Sequence, residues 1–362
     1  MHKFISYAIL LAVGTINVSA TLPIQHNNYE LIDKFNNWIK HFEVKIQNSD
    51  HLVKILDNWL NNDKFIEQTN LQNLTYQLGH NVYSGMNSDD FSEHMGFKSN
   101  YKLLSEFNTI RSLSPDLTDS IITSYNITAI PSSIDWRENG KVSHIKDQGQ
   151  CGSCWAFSGT STVESAVAIK TGNLYDLSEQ QGVSCAIIKD GYSNMGCNGG
   201  MYNNLWNYIK DNGGLCTQDS YPYTSGTDSQ TGKCIKTCES LTDTKVIDYK
   251  KVTPYSDSSM LTALNKQPIS IALEADTRSF QLYKSGIYSD YSDCGGDSPQ
   301  LDHAVVLVGY GIDKTNNMEY YIMRNSWGTS WGDQGYMKMA RGDKYGKAGL
   351  CGLLSEPMYP VV

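Results

Sequence analysis

The segment Asp147-Gln148-Gly149-Gln150-Cys151-Gly152-Ser153-Cys154-Trp155-Ala156-Phe157 changes character at its midpoint. It is polar and glycine-rich up to Ser153, then enters a helical pattern that runs from Cys154 to Lys170 and is stopped by Gly172. Cys154 therefore falls at a helix N-terminus, where the helix dipole and free N–H groups favour a thiolate. Spacing alone leaves other readings open: a redox pair, half a zinc site, or two ordinary disulfide cysteines. The chain has nine cysteines, at 151, 154, 185, 197, 216, 234, 238, 294 and 351. If eight pair, one thiol stays free, and Cys154 is the candidate. A zinc site needs a second ligand pair, and the other close pair is Cys234 and Cys238.

A thiolate nucleophile needs a base within reach, usually histidine near neutral pH. Of eight histidines only His144 and His303 follow residue 130. His144 lies in the loop leading to Cys154, whereas His303 opens the strand-like run Ala304-Val305-Val306-Leu307-Val308, a rigid position from which to face a cleft. A third group should orient the ring. Asn325, in Arg324-Asn325-Ser326-Trp327-Gly328, can accept from a ring N–H, with Trp327 sheltering the contact. The backbone N–H of Cys154 and the side-chain amide of Gln148 can supply two donors to a developing oxyanion.

Around this segment the chain has three textures. Met1 to Ala20, with Lys3, an apolar stretch from Ile5 to Val13 and Val18-Ser19-Ala20, reads as a signal peptide, which places the chain in an oxidising secretory pathway. No later segment has about 18 uninterrupted apolar residues, so no mature membrane span is expected. From Tyr29 to about Asn70 the apolar residues Leu31, Phe35, Trp38, Ile39, Phe42, Leu52, Ile55, Leu56, Trp59, Phe65 and Ile66 recur at helical spacing, predicting two or three helices. Residues 81–130 read as loops and a linker. Sequons for N-glycosylation stand at Asn73 and Asn126. After Pro131 a helical half, with Met201 to Asn212 as a second helix, gives way near residue 245 to a β half: Pro268 to Leu273, Ala304 to Tyr310, Glu319 to Met323 and Gly335 to Ala340. A cleft between the halves is the natural place for a site. The 362 residues suffice for two or three folded units, and a net charge of −9 with no basic cluster argues against nucleic-acid partners. No motif for a metal or a nucleotide cofactor is present.

With Gln148, Cys154, His303 and Asn325 placed, the sequence resembles the papain family of cysteine peptidases, most closely the cathepsin L branch. The resemblance is carried by the opening segment, by Cys197-Asn198-Gly199-Gly200, by Leu301-Asp302-His303-Ala304, and by Asn325-Ser326-Trp327-Gly328 followed by Trp331-Gly332. It implies an α+β papain-like fold of two domains, a helical left domain at about 130–244 and a β-barrel-like right domain at about 245–362. It also implies an inhibitory helical propeptide over 21–129, and cleavage of internal peptide bonds by a thiolate–imidazolium pair of Cys154 and His303. Protein and peptide substrates, the chain's own propeptide and cystatin-like inhibitors are the implied partners of a monomer, in a lysosome, a vacuole or outside the cell. Position by position, the family's disulfides fall on Cys151–Cys197, Cys185–Cys234 and Cys294–Cys351. Cys216 and Cys238 remain, as a further bridge or as two free thiols, and an oxidising compartment favours the bridge.

The resemblance further implies a substrate cleft along Gly199, Gly200, Asp302 and Trp327. Its specificity pocket is walled by Met201, Ala272, Leu301 and Ala304, with Glu356 at the floor, where a carboxylate can receive Arg as well as aliphatic or aromatic side chains. In the propeptide, Asn62, Ile66, Asn70, Gly79 and Asn81 fit the family pattern. His51 and Ile55 stand where Glu and Arg are expected, Trp59 where Phe is usual, and Tyr83 and Gly85 where Phe and Asp are expected. An ion pair and an acid-sensing carboxylate are thus missing. Three rival readings fail on context. Gly328-Thr329-Ser330-Trp331-Gly332 fits a serine-hydrolase elbow, but a strand-like run follows it and no histidine comes after 303. Arg341-Gly342-Asp343 reads as a turn. The paired histidines of a cathepsin B-like occluding loop are absent from the mature part.

Overall fold

In the computed structural model, residues 7–8, 19–20, 27–98, 130–236 and 238–362 are described. Most of the expected signal peptide, the sequon at Asn126 and Ala129 lie outside the described residues. Among the described residues the front part opens with two helices, α1 (Asn27–His41) and α2 (Ser49–Asn70). The helical periodicity is there because Phe35, Trp38, Ile39, Leu52, Ile55 and Trp59 bury one face of each helix in a common cluster. Asn48 caps α2 by accepting from the His51 N–H.

The back part is built round α4 (Cys154–Thr171), which follows the short α3 (Ser88–Ser92) in the chain. Every residue of α4 from Cys154 to Ala168 is buried, which explains its small and apolar composition without a polar face. On one side lie α5 (Glu179–Cys185) and α6 (Tyr202–Asn212). On the other lies a nine-stranded sheet. Its strands are β1 (Tyr76–Leu78), β2 (Ile134–Asp135), β3 (Asp248–Lys251), β4 (Ile269–Leu273), β5 (Tyr283–Tyr288), β6 (His303–Asp313), β7 (Met318–Arg324), β8 (Tyr336–Ala340) and β9 (Met358–Val361). They run in the order β1-β5-β8-β7-β6-β4-β9-β3, with β2 paired to β6; only β5 and β8 are parallel. Small polar side chains tie α4 to the sheet: Ser158 Oγ donates to Val305 O at 2.8 Å, and Thr162 Oγ1 meets Ser270 Oγ at 3.1 Å.

Two features depart from the sequence expectation. The strand β1 belongs to the front part yet forms the edge of the back part's sheet, pairing antiparallel with β5. Residues 82–98, read as a linker, instead make a 3-10 turn (Val82–Gly85), the helix α3 and an extended run. Tyr83, Phe91 and Phe97 bury themselves in the back part, and these aromatics are too widely spaced to show a period.

Candidate active site

Two loops and two strands converge on the N-terminus of α4. Gly149, Gly152 and their neighbours bring the chain past the cleft to Ser153, after which Cys154 begins the helix. Its thiol is buried and accepts from the Ala304 N–H at 3.4 Å. Burial pushes the thiol up to about 12, although N–H groups of Ala304 and Gly96 pull the other way. His303 stands at the start of β6, paired across β4 with Leu273. Its Nε2 lies 2.8 Å from Asn325 Oδ1 and its Nδ1 is buried without a hydrogen-bond partner. Burial lowers the ring to about 4, against the Asn325 bond that raises it. Trp327 is buried and stacks on the imidazole with ring centroids 4.6 Å apart.

Asn325 is itself fixed, since its Oδ1 also accepts from the Ser326 N–H at 2.8 Å. Gln148 is oriented from the same turn: its Oε1 accepts from Ser326 Oγ at 2.7 Å, which turns Nε2 toward the cleft. Behind it, Lys146 Nζ is buried among Glu164, Asp176 and Glu179 at 2.9, 2.7 and 2.7 Å and donates to Leu177 O. Burial opposes its charge, but the carboxylates outweigh that and hold the ammonium above its ordinary range. Lys146 O in turn accepts from Gly328 N, so this ion cluster joins the loop carrying Gln148 to the loop carrying Trp327.

The cleft is occupied by the chain itself. Phe97 N donates to Asp302 O at 2.8 Å, Gly200 N to Gly96 O at 2.8 Å and Lys98 N to Gly200 O at 3.1 Å. Gln148 Nε2 donates to His94 O at 3.0 Å and to Cys151 O. The backbone passes so close that a Cβ on Gly96 would stand 1.9 Å from Gly152 O. Phe97 is buried in the cluster that contains Met201, Ala272 and Ala304, with Leu301 packed against it. Four of the expected pocket residues, Met201, Ala272, Ala304 and Leu301, thus belong to or pack against the same buried cluster as Phe97. Tyr202, which sequence reasoning passed over, stacks on Phe97 with centroids 5.8 Å apart, and its hydroxyl donates to Glu356 O. Its phenol is raised by burial and by the nearby Glu356 carboxylate. Its place next to Met201 was the available signal.

Four disulfides are formed, Cys151–Cys197, Cys185–Cys234, Cys216–Cys238 and Cys294–Cys351, and the free cysteine is Cys154. Asn73 sits exposed in the turn before β1. Ser330 is followed by β8 rather than a helix, and the Arg341 side chain is held by Asp257 and Glu319, so neither rival motif has its required setting. Among the described residues no helix is long and apolar enough to cross a membrane, and no cluster of three or more His, Cys, Asp or Glu could hold a metal ion.

Residues 130–361 match the family described as papain family cysteine protease, and residues 35–91 match the cathepsin propeptide inhibitor domain. Cathepsin L of Sarcophaga peregrina is 40 % identical over 294 residues, covering 80 % of this chain and 79 % of that protein. Cysteine proteinase RD21A of Arabidopsis thaliana is 39 % identical over 338 residues, covering 92 % of this chain and 67 % of that protein's length. The structure is similar to digestive procathepsin L 3 of Tenebrio molitor larval midgut (TM-score 0.75, 28 % identity, 92 % of this chain, 99 % of that one). It is also similar to a recombinant stem bromelain precursor (TM-score 0.73, 32 % identity, 92 % and 99 %). The chain belongs to the papain family of cysteine proteases. It carries the family's papain-like fold together with the inhibitor domain that makes such a protease a zymogen, and its partners include protein substrates and its own propeptide.

Proposed function

We propose that the chain is a secretory-pathway cysteine endopeptidase, lysosomal, vacuolar or extracellular, in which Cys154 is the nucleophile and His303 the general acid and base. The supporting observation is the His303–Asn325 bond. With Nε2–H donated to Asn325 Oδ1, the lone pair on Nδ1 is the position left for the Cys154 proton. In the open cleft the Cys154 thiolate attacks the carbonyl carbon of the scissile bond. The oxyanion accepts from Gln148 Nε2–H and the Cys154 N–H. The imidazolium gives its Nδ1 proton to the leaving amine as the C–N bond breaks, leaving an acyl-enzyme. Nδ1 then takes a proton from water, hydroxide attacks the thioester, and the acid product leaves as the thiol is restored.

Substrate lies along Gly199, Gly200 and Asp302, and the main chain of Gly200 and Asp302 already holds residues 96–98. The side chain two before the scissile bond enters the Phe97 pocket of Met201, Ala272, Leu301 and Ala304. Glu356 at its floor extends acceptance to Arg. Signal peptide, propeptide and peptidase domain divide at about residues 20 and 129, and the sequons at Asn73 and Asn126 carry glycans. The mature enzyme is a monomer open to cystatin-like inhibitors. The test is alkylation of the processed protein by a peptidyl epoxide, with peptide mapping and fluorogenic substrates bearing Leu, Phe or Arg in that position. Label confined to Cys154 with loss of hydrolysis is expected. No label after propeptide removal would mark a silent binding homologue. Glu356→Ala leaving Arg substrates as good relative to Leu and Phe would overturn the dual acceptance.

A further inference from the structure

The main-chain bonds that hold residues 94–98 over the site contain no group that titrates near neutrality, yet one side chain in that run does. The His94 ring is buried, 5 % exposed, with Nδ1 3.3 Å from Asp90 O, so the neutral ring carries its proton there. Nε2 is buried and without a hydrogen-bond partner. Tyr83 meets the ring edge-on at 5.6 Å and Phe91 stacks at 6.3 Å. Both of those rings stand against Trp327, at 5.6 and 5.2 Å, and Trp327 covers His303. The charged groups facing His94 are Glu93 on its own segment and Asp147 in the loop before α4, with the neutral Gln150 side chain beside them. Asp147 Oδ1 is already taken by the Gly149 N–H, and burial holds this carboxyl above its ordinary range.

We infer that protonation of His94 at Nε2 releases residues 94–98 from the site, so that this residue makes opening of the precursor acid-dependent. A proton on Nε2 creates a buried charge in a wall of aromatic rings, and the cost of that burial outweighs what the Gln150 side chain and nearby main-chain groups give back. The same residue's carbonyl accepts from Gln148 Nε2, so displacing it also frees the side-chain donor of the oxyanion site. Burial holds the closed-state ring below its ordinary value, while a ring in water titrates near 6.5. The open state therefore binds the proton more readily. Closure is at full strength above about pH 6.5, weakens by at most about tenfold per pH unit as pH falls, and levels off below the closed-state pKa.

His80 is a poorer trigger. Its Nε2 is 2.9 Å from Asp63 Oδ1, so the carboxylate would meet its added charge, though Lys34 shares that carboxylate and Glu67 lies close by.

The inference rests on residues 94–98 being the inhibitor of this site, not on the catalytic roles of Cys154 and His303, and its test does not use activity. Full-length Cys154→Ser precursor, which cannot process itself, is followed by amide hydrogen exchange over residues 91–98 from about pH 7 to about pH 4, corrected for intrinsic rates. Protection is expected to fall by up to about tenfold per unit below about pH 6.5, and in His94→Phe to hold its neutral-pH value down to about pH 5. His94→Gln is the second variant, and exchange in α1 and α2 reports whether the propeptide has folded. Loss of protection at the same pH in both variants, or its abolition by His80→Phe instead, would overturn the inference. Absence of protection over 94–98 at neutral pH in the parent would overturn the inhibitor reading beneath it.

Discussion

Replacing Gly96 by alanine attacks the tightest approach between the propeptide and the catalytic domain. An added Cβ would stand 1.9 Å from Gly152 O and 2.2 Å from Gly152 C, both main-chain atoms on the loop that carries Cys154. Neither can swing aside as a side chain could, so the extended run must lift. Lifting it breaks the bonds Phe97 N to Asp302 O, Gly200 N to Gly96 O and Lys98 N to Gly200 O. At about 0.5–1.5 kcal/mol each these contribute roughly 1.5–4.5 kcal/mol. Withdrawing Phe97 from its pocket adds about 1.5–3 kcal/mol, for a total of roughly 3–7.5 kcal/mol, or about two to five orders of magnitude in closure. The helices α1 and α2 have their own cluster and should stay folded. The assay is the alkylation rate of Cys154 in full-length precursor at neutral pH, where burial keeps the parent thiol protonated. Gly96→Ala should react at least about a hundredfold faster. Val53→Ala, an exposed change on α2, is the remote control. A Gly96→Ala precursor as protected as the parent would refute the reasoning.

Asn325→Ala removes the acceptor that supports the imidazolium. In the processed enzyme kcat/KM should fall by about ten- to a hundredfold, and since the bond raises the His303 pKa, the alkaline limb of the pH–rate profile should move to lower pH. Tyr202→Leu should cut the preference for Phe over Leu two before the scissile bond by about two- to tenfold through loss of the ring stack, while Tyr202→Phe keeps it; equal ratios in all three enzymes would contradict the stacking. The paired change Cys216→Ser and Cys238→Ser opens a loop with a sequence separation of 22. It should cost about 3 kcal/mol, and calorimetry of the processed enzyme should show Tm lowered by roughly 6–12 °C, with the pH–rate profile unchanged.

The chemistry-bearing segments were readable because each is local. Cys154 announces itself by the switch from glycine-rich loop to helix, and His303 by opening a run of β-branched residues within a strand that the structure buries from His303 to Gly311. The helix stop at Gly172 was readable too, since this residue adopts the left-handed conformation that glycine tolerates. What escaped is long-range. Strand β1 has three residues and no alternation long enough to count; it is a strand because β5, some two hundred residues later, offers it an edge. Residues 82–98 are polar by composition, and their order comes from a few aromatics docking on surfaces made elsewhere, as Tyr83 and Phe91 do on Trp327. Tyr202 was passed over as part of the pocket, despite adjoining Met201, because its burial satisfies a helix face as well.

The shared sheet has a consequence for the processed molecule as a colloid. Ile287 N donates to Thr75 O and Leu282 O accepts from Gly79 N, so two main-chain groups bordering and within β5 are satisfied by residues that leave with the propeptide. Once they leave, the outermost strand carries an open ladder beside Gly286, whose missing side chain lets another backbone come close. The processed enzyme, a monomer when dilute, should therefore begin to self-associate through this rim on concentration while the intact precursor should not, and added salt should leave the difference in place because the contact is made by amides rather than by charges.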